Sequence, residues 1–409
     1  MMNGVAVFAH NLAHGLAQRG HEVMVFCPSF TGKEHKYTKD GVTVVSHKSV
    51  RVPLYPDAIT PVSKAKEILG VKLPRIFYKH GIWGAVYPYP RMKKELDKFQ
   101  PDVIHNQTAE TIALAAQYYA HHNHIPLVTT GHAYPDNITG QFKALKPIKK
   151  PLDAMLRAYM ASFLKHSEYA TMPTEMAIND LVPKNRKHFQ VPVEPLSNGI
   201  DLTKFNAKKA PDAIYKKYKL PKDRPIVLYV GRVDPEKSIQ YPLQAFAEVR
   251  KKVPEALMVI VGDGTAREGL ESQARELGIA DDVRFLGKVV LPELADVYRT
   301  GSLFVTASET ETQGIVLIEA LASGLPLVAV DAGAVNELCR HNQDGILCQP
   351  KDVNGIAKAI IKILKNPELR ERYSKAGIEL AKTHDLNRTL TRFEEIYKEA
   401  ISLKNDASA

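Results

Sequence analysis

The sequence predicts an α/β protein of two doubly wound domains, each a mostly parallel sheet covered by helices. Three observations carry this. Short apolar, β-rich runs recur along the second half, at residues 225–230, 257–261, 283–287, 302–307 and 327–330. Runs this short and this continuously apolar suit strands buried on both faces. Between them lie stretches with apolar residues at helical spacing, such as 241–249 and 314–322, and strands that alternate with helices build parallel sheets. The chain of 409 residues also exceeds one ordinary core, so two domains are expected.

The elements of the second half follow in order. The run Pro225–Val230 passes directly into Gly231-Arg232-Val233-Asp234-Pro235-Glu236-Lys237-Ser238. Gly231 permits a tight exit from the strand, and Arg232 and Lys237 place two cations in the strand-to-helix loop, where they could hold a diphosphate and stabilise it as it departs. An Arg/Lys pair on a loop is otherwise a solvated surface feature. The strand-glycine turn repeats at Val261-Gly262-Asp263-Gly264 and at Phe285-Leu286-Gly287.

The last unit is the most informative. A strand over 302–307 leads to Glu311-Thr312-Gln313-Gly314, then a helix that Gly324-Leu325-Pro326 stops. Glu311 falls at the carboxyl edge of the sheet, where open α/β sheets bind ligands. The N–H groups of Gly314, Ile315 and Val316 at the helix start favour a phosphate. Glu319, about one and a half turns further on, can accept hydrogen bonds from a ribose diol. The plainer reading makes both glutamates partners of the helix dipole on a solvated surface. The independent cationic loop at 231–238 favours the ligand reading.

Taken together, Gly231-Arg232 with Lys237, Val261-Gly262-Asp263-Gly264, Phe285-Leu286-Gly287, and Glu311 to Glu319 with Ala320 and Gly324-Leu325-Pro326 resemble the family 4 (group 1) retaining glycosyltransferases. The resemblance covers nearly the whole chain. It implies the GT-B architecture, two Rossmann-like domains facing a central cleft. The Glu-Thr-Gln-Gly form of the loop is most similar to bacterial diacylglycerol glucosyltransferases and implies UDP-glucose as donor and a role in glycolipid biosynthesis. The resemblance further implies that Arg232 and Lys237 contact the donor diphosphate, Glu319 the ribose and Glu311 the transferred sugar. Asn198 lines the cleft, Gly262, Gly287, Gly314, Ile315 and Val316 approach the donor, and His132 is the active-site histidine.

His132 follows the β-rich run Leu127–Thr130, at a strand end, although a loop histidine with satisfied hydrogen bonds is the ordinary alternative among 15 in the chain. His121, His122 and His124 read as polar helix and turn residues, because no cysteine or paired carboxylate completes a metal site there. Gly4, in Asn3-Gly4-Val5, resembles the glycine loop that follows the first central strand in this family, ahead of a helix to Arg19 and a strand over 22–27. That strand is missing from the sequence, so its neighbours should have unpaired edges. A start assigned too late is the favoured reading of this gap, the alternative being a destabilised version of the protein.

The domain boundary is expected in the proline-rich stretch 191–197. This gives an acceptor domain over 1–197, a nucleotide-sugar domain over 198–384, and by resemblance a C-terminal helix, 385–409, that packs back on the first. Composition is that of a globular protein, 44% hydrophobic and 24% charged. Three cysteines without metal spacing argue for a reducing compartment, and neither a signal peptide nor a spanning run is apparent. The expected location is therefore the cytoplasm, or the inner face of the cell membrane.

Charge is unevenly spread. Residues 1–200 hold 24 Lys and Arg against 15 Asp and Glu, whereas residues 201–409 hold 31 against 30. Two segments, 64–98 and 141–164, concentrate the excess, and the second mixes lysines with Phe142, Leu145, Ile148, Met155 and Tyr159, which suits an anionic membrane surface. An ordinary helix with its apolar side in the core is the alternative. No recognition-helix or aromatic RNA-binding motif accompanies the charge, so nucleic acid is not an expected partner.

The expected activity is transfer of a hexosyl group from a nucleotide-diphosphate sugar to an acceptor hydroxyl, with retention. The acceptor is a glycerolipid such as diacylglycerol. No cofactor is expected, and no metal, because the cations and the helix start can do its work. The alternatives are a soluble or polysaccharide acceptor, or a catalytically inert protein that binds a membrane surface or a partner.

Overall fold

The computed structural model describes residues 4–29, 31–51, 59–61, 66–68, 71–73, 76–78, 83–132, 139, 147–182 and 189–408. Asn3, Lys64, Phe142 and Leu145, which the sequence singled out, lie outside the described residues. The chain divides into two compact units, one of Met1–Ser197 with Thr389–Ala409, the other of Asn198–Arg388.

The first unit opens with α1 (Gly4–Gln18), followed by β1 (Val23–Pro28), β2 (His35–Lys39) and β3 (Val42–His47). These strands form a sheet of order β1-β3-β2, with β1 parallel and β2 antiparallel to β3. A second sheet holds β4 (Ile104–Asn106), β5 (Leu127–Thr130), β6 (Tyr169–Met172) and β7 (Val193–Pro195) in sequence order, all parallel. Among the described residues no strand pairs the second edge of β1 or of β4. Every residue of β1, Val-Met-Val-Phe-Cys-Pro, is only half-buried, whereas β5 and β6 are buried throughout.

Helix α2 (Thr111–His122) contacts both β1 and β4, while α3 (Lys149–Lys165) lies against β6. On α3, Phe163 and Leu164 are buried and Met155 and Tyr159 exposed, so its apolar residues are divided between core and surface. From Thr389 onward the last helix belongs to this unit. Its Phe393 ring lies 5.8 Å from Phe8, and Arg392 pairs with Glu194 at 2.8 Å. Among the described residues no helix is long and apolar enough to cross a membrane.

The second unit is a six-stranded parallel sheet. Its strands are β8 (Ile226–Val230), β9 (Leu257–Val261), β10 (Val283–Gly287), β11 (Leu303–Val305), β12 (Leu327–Val330) and β13 (Gly345–Cys348), in the order β10-β9-β8-β11-β12-β13. Side chains alternate across it as the pleat requires. Ile226, Leu228 and Val230 enter the core on one face; Val227 and Tyr229 enter the core on the other. Both faces are therefore covered, which is why these strands read as uninterrupted apolar runs.

The chain builds outward from β8 to β10 and then returns to start β11 on the other side of β8. The loops leaving β8 and β11 consequently diverge to opposite faces and leave a crevice at the carboxyl edge, the position at which open α/β sheets bind ligands. The loop after β8 carries Arg232 and Lys237; the loop after β11 carries Glu311.

Candidate active site

Within the second unit, the two loops meet through an ion pair. Lys237 closes a short 3-10 turn (Pro235–Lys237), and its Nζ donates to Glu311 Oε1 at 2.6 Å and lies 3.5 Å from Ser308 Oγ. The two charged side chains are 16% and 15% exposed. Burial would raise the Glu311 carboxyl, but the Lys237 charge and hydrogen bonds from Lys237 and Ser308 outweigh it, so the group stays ionised below its ordinary range. Arg232 is engaged too, with Asp234 at 2.5 Å and with Glu236. Asp234 is itself anchored, its Oδ1 accepting from the Thr265 amide at 2.8 Å. Both cations of the loop thus have carboxylate partners, an arrangement with no local signal beyond the acidic residues at 234 and 236.

Helix α4 (Gln240–Lys252) packs against the sheet and α5 (Glu293–Tyr298) precedes β11; Glu311 leads into helix α6 (Ile315–Ala322). Gly314 caps it with φ +77°, and a Cβ there would lie 2.5 Å from Leu317 Cδ1. Glycine is needed to turn the loop into the helix at this point. The first amides of α6, those of Ile315 and Val316 among them, have no acceptor within the helix. Glu319 stands in the second turn, and its Oε2 accepts from the Tyr298 hydroxyl of α5 at 2.7 Å. Burial pushes its carboxyl up to about 7, against the lowering effect of that hydrogen bond.

The predicted glycines hold the strand ends together. Gly262 has φ +131°, and a Cβ there would come within 1.8 Å of the Gly231 carbonyl oxygen. Its amide donates to the Gly287 carbonyl at 2.8 Å, so Gly231, Gly262 and Gly287 form one contiguous floor at the ends of β8, β9 and β10. The Asn198 amide donates to the Gln313 side-chain oxygen at 3.2 Å, and Asn198 Oδ1 is buried with no hydrogen-bond partner among the described residues. A buried acceptor left open is costly unless a ligand or water supplies a donor.

His132 and Gly4 belong to the first unit. Gly4 is the exposed first residue of α1. His132 stands two residues beyond β5, its ring centroid 5.0 Å from Phe8 and its Nε2 2.9 Å from Gln107 Oε1. Burial lowers its value to about 3, so the ring is neutral at physiological pH. With Gln107 Oε1 as acceptor, the ring proton sits on Nε2 and Nδ1 is an acceptor. Nearby, His105 bridges Tyr397 at 2.8 Å and Thr130 at 2.7 Å. His121, His122 and His124 are exposed: His121 bonds the His166 carbonyl and His122 stacks on Tyr118.

Sequence reasoning missed Tyr298, Gln313 and Gln107. Gln107 had a detectable signal, since it directly follows a strand and His132 stands two residues beyond one; Tyr298 had none, because 21 residues separate it from Glu319.

Comparisons with known proteins bear on the family and the fold. Residues 2–204 match the model described as Glycosyltransferase Family 4, and residues 212–380 that described as Glycosyl transferases group 1. The sulfoquinovosyl transferase SQD2 of Arabidopsis thaliana is 29% identical over 318 residues, covering 76% of this chain and 59% of the relative, so the chain spans less than two thirds of that protein. An alpha-monoglucosyldiacylglycerol synthase of Streptococcus pneumoniae is 26% identical over 410 residues, 99% of this chain and 84% of the relative. Among solved structures, a sucrose-phosphate synthase from Thermosynechococcus elongatus superposes with a TM-score of 0.74 at 19% identity, covering 98% of this chain and 94% of that one. With both halves matched and two parallel-sheet units in place, the chain belongs to the family 4 (group 1) glycosyltransferases, nucleotide-sugar enzymes of the GT-B fold.

Proposed function

We propose that the protein transfers a hexosyl group from a nucleoside-diphosphate sugar to the hydroxyl of a membrane glycerolipid such as diacylglycerol, with retention of anomeric configuration and without a metal ion. The observation that carries the reading is the Lys237–Glu311 ion pair, formed across the sheet's crevice beside the open start of α6. Buried charges of opposite sign at a ligand edge suit a ligand that carries both anionic oxygens and neutral hydroxyls.

In this reading the diphosphate draws Lys237 and Arg232 away from their carboxylate partners, and the amides of Gly314, Ile315 and Val316 add their dipole. Glu311, released from Lys237, accepts hydrogen bonds from hydroxyls of the transferred sugar, and Glu319 accepts from the ribose. Gly262 and Gly287 let the backbone approach the nucleotide, as Gly4 does at the start of α1, while Asn198 Oδ1 receives a donor it otherwise lacks. The acceptor oxygen bonds to the anomeric carbon on the leaving-group face as the bond to the phosphate oxygen breaks. The acceptor's proton passes to that phosphate oxygen, and the cations stabilise the departing charge. His132, neutral through burial, acts as a hydrogen-bonding group to the sugar, not as a cation.

Two observations support a lipid acceptor: the basic excess of residues 1–200, and the alpha-monoglucosyldiacylglycerol synthase relative. Exposed Ile148, Met155 and Tyr159 beside Lys149 and Lys150 fit contact with an anionic surface. The deciding experiment incubates the protein with UDP-, ADP- and GDP-sugars. It is run with vesicles of anionic phospholipid containing diacylglycerol, with glucan, and with neither. Nucleotide release that depends on diacylglycerol, with a glycolipid found by mass spectrometry, is expected. Release with glucan alone would replace the lipid by a polysaccharide acceptor, and no release with any donor would favour an inert binding protein.

A further inference from the structure

We propose that Tyr298 is a positioning residue for the donor: its hydroxyl fixes one oxygen of Glu319 and leaves the other to receive the vicinal diol of a nucleotide's ribose. The inference rests on the reading of Glu319 given above and deepens it.

The geometry is specific. Tyr298 is fully buried at the end of α5, with its ring 6.3 Å from Phe304 and 5.7 Å from Phe205. The hydroxyl donates to Glu319 Oε2 at 2.7 Å and lies 3.4 Å from the Val316 carbonyl, so it ties the glutamate to the first turn of α6. No cation pairs with Glu319 among the described residues. Strand β12, Leu327–Val330, carries no charge, and the helix Pro367–Lys382 that packs on α6 brings none to the carboxylate. Tyr229 on β8 is the next titratable group, and it acts on Tyr298. A single buried hydroxyl therefore fixes one oxygen of this carboxylate and opposes the burial that raises it.

The charge matters because a diol has only donors to offer an ionised carboxylate, whereas a protonated one presents its own O–H on one oxygen. With Glu319 raised to about 7 by burial, the diol competes with a proton near neutral pH. Sign follows directly. Nucleotide binding releases a proton, and affinity falls about tenfold per pH unit below the inflection. Removing the Tyr298 donor withdraws the one interaction that favours the ionised form, so the inflection moves to higher pH.

The test measures binding of UDP, ADP and GDP, and of their 2′,3′-dideoxy counterparts, by calorimetry between pH 5.5 and 8.5 on the wild type and on Tyr298→Phe. The variant keeps every ring contact. It should bind the ribose nucleotides roughly tenfold more weakly at pH 7.5, the loss expected for one hydrogen bond to a charged group. Its inflection should be raised, its binding of the dideoxy nucleotides unchanged, and its kcat at saturating donor preserved. A wild type that does not distinguish ribose from dideoxy nucleotides overturns the role of Glu319 and this proposal with it. A wild type that distinguishes them, with Tyr298→Phe giving the same profile, overturns Tyr298 alone. If Tyr298→Phe does not fold, 3,5-difluorotyrosine at 298, a stronger donor, must shift the inflection downward; an unmoved inflection refutes the proposal.

Discussion

Replacing Lys237 by methionine removes the ammonium from the ion pair with Glu311 while keeping most of the side chain's bulk. Breaking a fully buried pair by deleting one partner costs about 3–5 kcal/mol, because the remaining charge is left uncompensated. Here the two side chains are 16% and 15% exposed and Ser308 still approaches the site, so about 2–3 kcal/mol is expected for the unit Asn198–Arg388. For a domain of that size this corresponds to a fall of roughly 5–10 °C in Tm. Lys237→Met with Glu311→Gln removes both charges and should regain most of the loss, giving a coupling of about 2 kcal/mol in a double-mutant cycle. Urea unfolding followed by far-UV dichroism measures the cycle, and nucleotide release measures activity on the same samples. Transfer should be abolished in both single variants even though each remains folded. The pH dependence should also change sign. In the wild type Glu311 is held below its ordinary value, so its contribution is complete above the unfolded value of about 4.5 and is lost as pH falls through the folded one. In Lys237→Met burial dominates, the carboxyl value rises, and acidification toward pH 5 relieves the penalty. Additive single and double losses would refute the stabilising role of the pair, and full transfer by either folded variant would refute the site.

Other outcomes follow from neighbouring contacts. Gly262→Ala places a Cβ 1.8 Å from the Gly231 carbonyl oxygen at φ +131°, so a loss of roughly 3 kcal/mol or more is expected; a Tm within a degree of wild type would contradict the close approach. Glu236→Gln removes one carboxylate competing for Arg232 and should tighten nucleoside diphosphate binding roughly threefold by calorimetry; weaker binding would mean that Glu236 positions Arg232 instead. In the first unit, burial lowers His105 and His132 to about 3 and His47 to about 4. These rings are neutral when folded and take up protons on unfolding, so their contribution is complete above pH 6.5 and falls as pH drops toward 4, by about 1.4 kcal/mol per pH unit for each ring. Urea titrations of the first unit's signal at pH 7 and pH 5 that gave equal stability would contradict it.

The sequence by itself determined the fold class and most elements of the second unit. Strands buried on both faces must be apolar at every position, and a glycine is favoured where the backbone turns left-handed and required where another carbonyl presses close, so 226–230, 257–261, Gly262 and Gly314 are visible as local patterns. Tertiary structure alone decided the pairings. Lys237 and Glu311 meet across 74 residues, Tyr298 and Glu319 across 21, Gln107 and His132 across 25. No periodicity records these distances, since they depend on the strand order and on which loops the switch point brings to one edge. Ionisation was decided in the same way. Glu311 and Glu319 are the same residue type on one loop and helix, yet one is held ionised by a lysine and the other is raised by burial with only a tyrosine to oppose it. That difference resides in their neighbours, and the neighbours are set by the fold.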